Sequence, residues 1–207
     1  MNASASKENM LKKIRQALST SVPVPFPVHD ASSGLFSPPS EDETVLFAEA
    51  FTALQGKFAL CENENELRVQ LSNLLHLKEW NKVYCADAAM AKYCGILKTH
   101  PTLDDCDVSI TGCAYLVART GTMVLTSQQP HGRTSGIYAP VHICVAYNHQ
   151  LVYDLKDALY FLKEKYGHSL PSFITFASGP SRTADIEKTL VTGVHGPKEV
   201  YCFLVDG

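Results

Sequence analysis

The chain has 207 residues, 45% hydrophobic and 19% charged, with 18 Lys+Arg against 21 Asp+Glu for a formal net charge of −3. This composition supplies a real apolar core and excludes disordered, fibrous and small disulfide-scaffold classes. It leaves no basic excess to neutralise a phosphate backbone, so no nucleic-acid partner is expected.

Residues 1–42 read as an N-terminal helix and a Pro-rich linker, and 43–207 as one α/β domain. In 7–18, Met10, Leu11, Ile14, Ala17 and Leu18 form one stripe with Lys12, Lys13 and Arg15 away from it, the pattern of an amphipathic helix. That stripe has three candidate destinations: the body of the chain, a partner or a membrane surface. Pro23, Pro25, Pro27, Pro38 and Pro39 make the following segment an extended linker. The first residues lack the apolar stretch of a signal peptide, and no run of about 18 apolar residues occurs. A cytoplasmic protein without an integral membrane segment is the expectation.

From residue 43, helical and strand-like segments alternate. Residues 44–54 predict a helix through Leu46, Phe47, Ala50, Phe51 and Leu54, and 57–61 a strand. The pair recurs as a helix over 64–80, carried by Leu67, Leu71, Leu74 and Leu75, and a strand over 82–86. A helix at 88–97 and a strand at 107–111 follow. Next, 115–118 and 122–126 flank Arg119-Thr120-Gly121 as a β-hairpin. Residues 141–147 predict a strand, Leu155, Ala158, Leu159, Leu162 and Tyr166 a helix, 172–177 a strand, 183–190 a helix and 200–205 a closing strand. Alternation of this kind predicts a Rossmann-like, mostly parallel sheet with helices on both faces, here with an inserted hairpin and an N-terminal helical leader.

Seven cysteines, at positions 61, 85, 94, 106, 113, 144 and 202, include no CxxC pair. Their spacing fits no zinc ribbon, iron–sulfur ligand set or thioredoxin-type couple, so free thiols in a reducing compartment, with no metal and no cofactor, are expected.

Three segments could carry chemistry. In 174–190 a strand runs through Ser178, Gly179 and Ser181 to Arg182 and Thr183, where a helix is expected to begin. A helix N-terminus beyond a strand offers free N–H groups to an anion, and Arg182 adds a bidentate donor. The plainer reading is that Ser181 or Thr183 caps the helix while Asp185 and Glu187 complement its dipole. The second segment is the Thr120-Gly121-Thr122 turn with the long polar loop after it, in which Arg133 is the sharpest residue. The third is the set His131, His142 and His195, candidates for proton transfer but placed like satisfied strand-end histidines. No nucleophile elbow or metal-binding histidine motif accompanies them, and no catalytic residue is named.

Taken together, Ile110-Thr111-Gly112, Thr120-Gly121-Thr122, Gly132-Arg133, Pro140-Val141-His142-Ile143 and above all SGPSRTADIEKTLVTGVHGPKEV at 178–200 resemble the lactate-utilization protein C, or LUD-domain, family. The resemblance implies a fold related to sugar-phosphate isomerases, coenzyme A transferases and 5-formyltetrahydrofolate cyclo-ligase. It further implies a part in oxidising L-lactate to pyruvate beside separately encoded iron–sulfur partner proteins. One departure stands out: the family often carries an acidic residue before the Thr-Gly-Thr turn, where this chain has Arg119. In the related transferases a carboxylate is the nucleophile, so that mechanism does not carry over. Arg119, Arg133 and Arg182 would line one anion site if their loops converge.

The leading expectation is thus an accessory subunit of a lactate-oxidation system. The alternative is an independent enzyme or binding protein for a phosphorylated, carboxylated or folate-like anion, with Arg133 and Arg182 as the clamp and His142 or His195 as the base. A regulatory or scaffolding module is the third class.

Overall fold

The computed structural model describes residues 3–19, 42–130, 132–183 and 191–206. The chain divides into a unit within 1–37, described by helix α1 (Ala3–Ser19), and a second unit, 38–207. The second unit contains α2 (Glu43–Ala53), β1 (Lys57–Cys61), α3 (Glu64–Leu77), β2 (Val83–Tyr84), α4 (Ala88–Tyr93), β3 (Val108–Gly112), β4 (Tyr115–Val117), β5 (Thr122–Thr126), α5 (Ser135–Tyr138), β6 (Val141–Tyr147), β7 (Leu151–Val152), α6 (Leu155–Tyr166), β8 (Ile174–Ala177), β9 (Arg182–Thr183), β10 (Val191–Thr192) and β11 (Glu199–Val205).

Short polar side chains start α2, α3, α4 and α6. Asp42 accepts from Thr44 N at 2.7 Å, Asn63 from the N–H groups of Asn65 and Glu66, and Asp87 from those of Ala89 and Met90. At α6, Asp154 and Asp157 form a reciprocal capping box. Left-handed residues stop two of the helices: Gln55 follows α2 at φ 67° and Glu79 follows α3 at φ 57°, three residues short of the expected end. The short α4 ends at Cys94, followed by Gly95 at φ 72°.

Five strands form a wholly parallel sheet in the order β1-β11-β6-β3-β2. The chain passes from one edge, β1, to the other, β2, through α3. Its 14 residues span about 21 Å, matching the roughly 19 Å width of five strands. The central strands β6 and β11 are buried on both faces, which is why they read as continuous apolar runs. One face, bearing Val108, Ile110, Ile143 and Phe203, packs with Leu67 and Leu71 of α3 and Ala91 of α4. The opposite face, bearing Cys144, Ala146, Cys202 and Leu204, packs with Phe47 and Phe51 of α2 and with Leu116, Met123 and Leu125 of the hairpin. Helices therefore lie on both faces of the central sheet.

The hairpin belongs to a second sheet, ordered β7-β4-β5-β8, in which β5 pairs antiparallel with both β4 and β8. Helix α6 covers its outer side through Ala158 and Leu162 against Val117, Val124 and Val152. Strand β8 is thus an antiparallel edge strand of this smaller sheet, not a member of the parallel one. The partner made the difference: a four-residue strand reads alike in either sheet, and Val124 opposite Phe176 selects the hairpin.

Candidate functional site

The Thr-Gly-Thr turn is built by close backbone approach. Gly121 adopts φ 57°, and a Cβ there would lie 2.4 Å from Phe51 N and 2.7 Å from Ala50 C, so only glycine lets α2 dock on the hairpin tip. Three hydroxyls join beside it: Thr120 Oγ1 and Thr122 Oγ1 lie 2.7 Å apart, and Thr122 Oγ1 and Ser178 Oγ also 2.7 Å apart. Gly179, at φ 79°, packs on the carbonyl of Leu54, and the Arg182 guanidinium donates to the same carbonyl. The turn, Ser178, Gly179 and Arg182 are therefore brought together around the C-terminus of α2. The cation sits where the helix dipole favours it.

The helix expected from Thr183 does not begin there. Arg182 and Thr183 are extended and pair antiparallel with Thr192 and Val191, while the rest of the expected helix, 184–190, lies outside the described residues. Ser181 donates its N–H to Pro197 O at 2.9 Å and accepts from Gly193 N at 2.9 Å. The first of these bonds occupies an N–H that a helix N-terminus would present to an anion. Residues 178–183 and 191–197 thus form one folded-back ribbon.

The three arginines are held on three partners. Arg119 Nε donates to Asp154 Oδ2 at 2.6 Å, Arg133 donates to Ser172 Oγ at 2.6 Å, and Arg182 donates to Leu54 O. The N–H of Lys156 and the Arg119 guanidinium together hold the buried Asp154 carboxyl below its ordinary range, against the effect of burial. His142 is buried beneath α5, with Nε2 2.8 Å from Thr111 Oγ1. Gly136 lies against its ring, and Ser109 Oγ donates to Ser135 O beside it. This is a buried polar layer between β3, β6 and α5. His131 lies outside the described residues.

His195 occupies a different place. It lines a cleft of about 440 Å³ with Ile137, Tyr138, Pro140, Val194 and Lys198. Lys198 N donates to Pro140 O at 2.8 Å, which puts the cleft at the amino ends of β6 and β11. Ligands of open α/β sheets ordinarily bind at the opposite, carboxyl ends. Sequence reasoning had His195 but missed Lys198 and Tyr138. The one available signal was that Lys198 stands directly before the closing strand, beside the His-Gly-Pro turn.

On β11, directly after Lys198 in sequence, Glu199 Oε2 accepts from Tyr201 OH at 2.8 Å, Lys57 donates to both, and Lys78 Nζ is 3.5 Å from Glu199 Oε2. Burial works to raise the Glu199 carboxyl, but bonds from Lys57 and Tyr201 outweigh it and hold it below the ordinary range.

All seven cysteines are free and buried. Burial pushes the Cys94 thiol up to about 12 and that of Cys61 to about 11. Hydrogen bonding to Cys144 and burial push Cys113 well up. Such thiols pack as small apolar side chains and are poor nucleophiles. Among the described residues, no group of three or more His, Cys, Asp or Glu is disposed to hold a metal ion. Among them, too, no helix is long and apolar enough to cross a membrane.

Comparison with known proteins agrees with this architecture. The LUD domain profile matches residues 96–205, just over half of the chain, from before β3 to the end of β11. A lactate utilization protein C of Deinococcus radiodurans is 34% identical over 108 residues, 52% of this chain and 50% of that protein. One from Halalkalibacterium halodurans is 38% identical over 104 residues, 49% of this chain and 45% of that protein. The chain thus aligns with about half the length of these curated relatives. The crystal structure of a DUF162 family protein from Deinococcus radiodurans superposes with a TM-score of 0.60 at 20% identity, covering 79% of this chain and 96% of that one, a likeness of fold. With its hairpin, ribbon and closing strand all inside the matched span, the chain belongs to the LUD-domain family.

Proposed function

We propose that this chain takes part in lactate utilization as an accessory component, with electron transfer carried by iron–sulfur partner proteins. The observation that carries the reading is the 34–38% identity, over 104–108 residues, to proteins named lactate utilization protein C. The placement of the cysteines supports the division of labour, because every one is buried and none belongs to a CxxC pair. Free buried thiols also suit a reducing compartment, and the proposal includes a cytoplasmic location.

In the source organism, deleting the gene should abolish growth on L-lactate as sole carbon source, and the full chain supplied in trans should restore it. Affinity purification of the tagged chain should recover proteins whose spectra report iron–sulfur clusters. Growth on lactate without the gene would sink the lactate role. Lactate-dependent dye reduction by the purified chain alone would sink the accessory role and restore the independent enzyme.

The clamp of Arg133 and Arg182 is not part of this proposal, since both guanidinium groups bond within the chain. Ser178, Thr120 and Thr122 form a hydroxyl cluster at the α2 terminus that we retain as a candidate contact for a small anion.

A further inference from the structure

We propose that the cleft at the amino ends of β6 and β11 is a binding site for an organic anion with a flat apolar body. This inference does not depend on the lactate reading.

The first argument is charge. Lys198 and His195 line the cleft, and neither side chain has a hydrogen bond or ion pair among the described residues. Among the described residues, none that lines the cleft is acidic. The neighbouring carboxylate, Glu199, is held by Lys57, Tyr201 and Lys78. Lys198 therefore supplies a positive charge that the described surroundings do not neutralise, beside an imidazole that can donate a hydrogen bond.

The second argument is construction. Gly193 has φ 78°, and a Cβ there would lie 2.1 Å from Lys198 Cγ and 3.1 Å from its Cβ. The lysine stem thus lies directly on the glycine backbone, which restricts the paths open to its ammonium group. Gly196 plays the matching part on the ribbon, with Ser181 Cβ at 3.0 Å from the position of an added Cβ. Two glycines of one short loop are each pressed by a side chain that a larger residue would displace, and between them stands His195.

The third argument is size and lining. Ile137, Pro140 and Val194 give apolar walls, and Tyr138 is 68% exposed on α5, offering a ring face to a planar group. A volume of about 440 Å³ lies within the usual range for small-molecule sites. A three-carbon hydroxy acid has six heavy atoms and would leave most of it unfilled. The fit is to an anionic head on Lys198 and His195 with a planar body against Tyr138, Ile137 and Val194. A carboxylate or a phosphate serves equally as the head.

Isothermal titration of the full chain tests the site, with 1-naphthoate as the carboxylate probe and adenosine 5′-monophosphate as the phosphate probe. L-Lactate and inorganic phosphate are the head-only controls. At least one planar probe should bind ten-fold or more tightly than both controls. Lys198→Met, which keeps the aliphatic stem on Gly193, should weaken that probe at least ten-fold, and Tyr138→Ala several-fold. Lys163→Met on α6 should bind as wild type. Amide shift mapping on the wild-type chain supplies a readout independent of any variant's folding, with the largest changes expected at 137–140 and 193–198. Absence of binding by both planar probes, head-only ligands binding as tightly, unchanged affinity in folded Lys198→Met, or shifts mapping elsewhere would each overturn the proposal. Which of the two probes binds better identifies the head group.

Discussion

Arg119 Nε donates to Asp154 Oδ2 at 2.6 Å, joining the tip of the β4–β5 hairpin to the residue that caps α6. The positive charge before the Thr-Gly-Thr turn, where the family resemblance leads one to expect an acidic residue, is thus matched inside the chain. Asp154 satisfies the first turn of α6 and the guanidinium at once.

Removing this pair should destabilise the fold and change its acid response. Both side chains are largely buried, so Arg119→Met should cost about 1–3 kcal/mol at pH 7. The folded carboxyl of Asp154 titrates below its ordinary value of 3.8, so its contribution is present above that value and is lost as pH falls through the depressed folded value. The gap between wild type and Arg119→Met should therefore narrow in that acid window. Urea unfolding at pH 7, 5, 4 and 3 measures it, and a gap independent of pH would refute the coupling.

Two glycines separate conformational strain from packing. Gly121 and Gly132 both have positive φ, 57° and 64°, but a Cβ at Gly132 meets nothing within 4 Å whereas one at Gly121 runs into the α2 backbone. Gly132→Ala should cost about 1–2 kcal/mol, the positive-φ penalty alone. Gly121→Ala should cost about 1–3 kcal/mol more through overpacking. Equal losses for the two variants in urea unfolding would show that α2 does not press on the turn.

The buried layer under α5 makes a third expectation. Thr111→Val keeps the shape but deletes the hydroxyl 2.8 Å from His142 Nε2, and should cost about 1–3 kcal/mol. Thr102→Val, at an exposed turn, should change stability by less than about 0.5 kcal/mol. A Thr111→Val protein as stable as wild type would remove the hydrogen bond from the account of this layer.

Thiol chemistry should report the native fold. With all seven cysteines buried, iodoacetamide at pH 7.5 should leave the folded chain almost unmodified over minutes, whereas in strong urea mass spectrometry should find seven adducts. Rapid labelling of Cys61 or Cys94 in the native protein would contradict the raised thiols.

Much of the fold was legible from local patterns. Leu67 and Leu71 recur at helical spacing, 141–147 and 200–205 are uninterrupted strand runs, and Gly121 marks a hairpin tip, because periodicity and turn chemistry act between residues close in the chain. What stayed hidden depends on partners distant in sequence. Nothing in 172–177 says that β8 pairs with Val124 rather than joining the parallel sheet, and nothing in Arg182-Thr183 announces pairing with Thr192 and Val191. Likewise, Arg119, Arg133 and Arg182 look alike as candidate anion donors until Asp154, Ser172 and the Leu54 carbonyl are brought against them. By itself the sequence determined the family resemblance, most of the element types and the unpatterned cysteines. Only the tertiary structure decided which polar groups satisfy one another and which, at Lys198 and His195, line a cleft, since hydrogen bonding and burial are fixed by contacts across the fold.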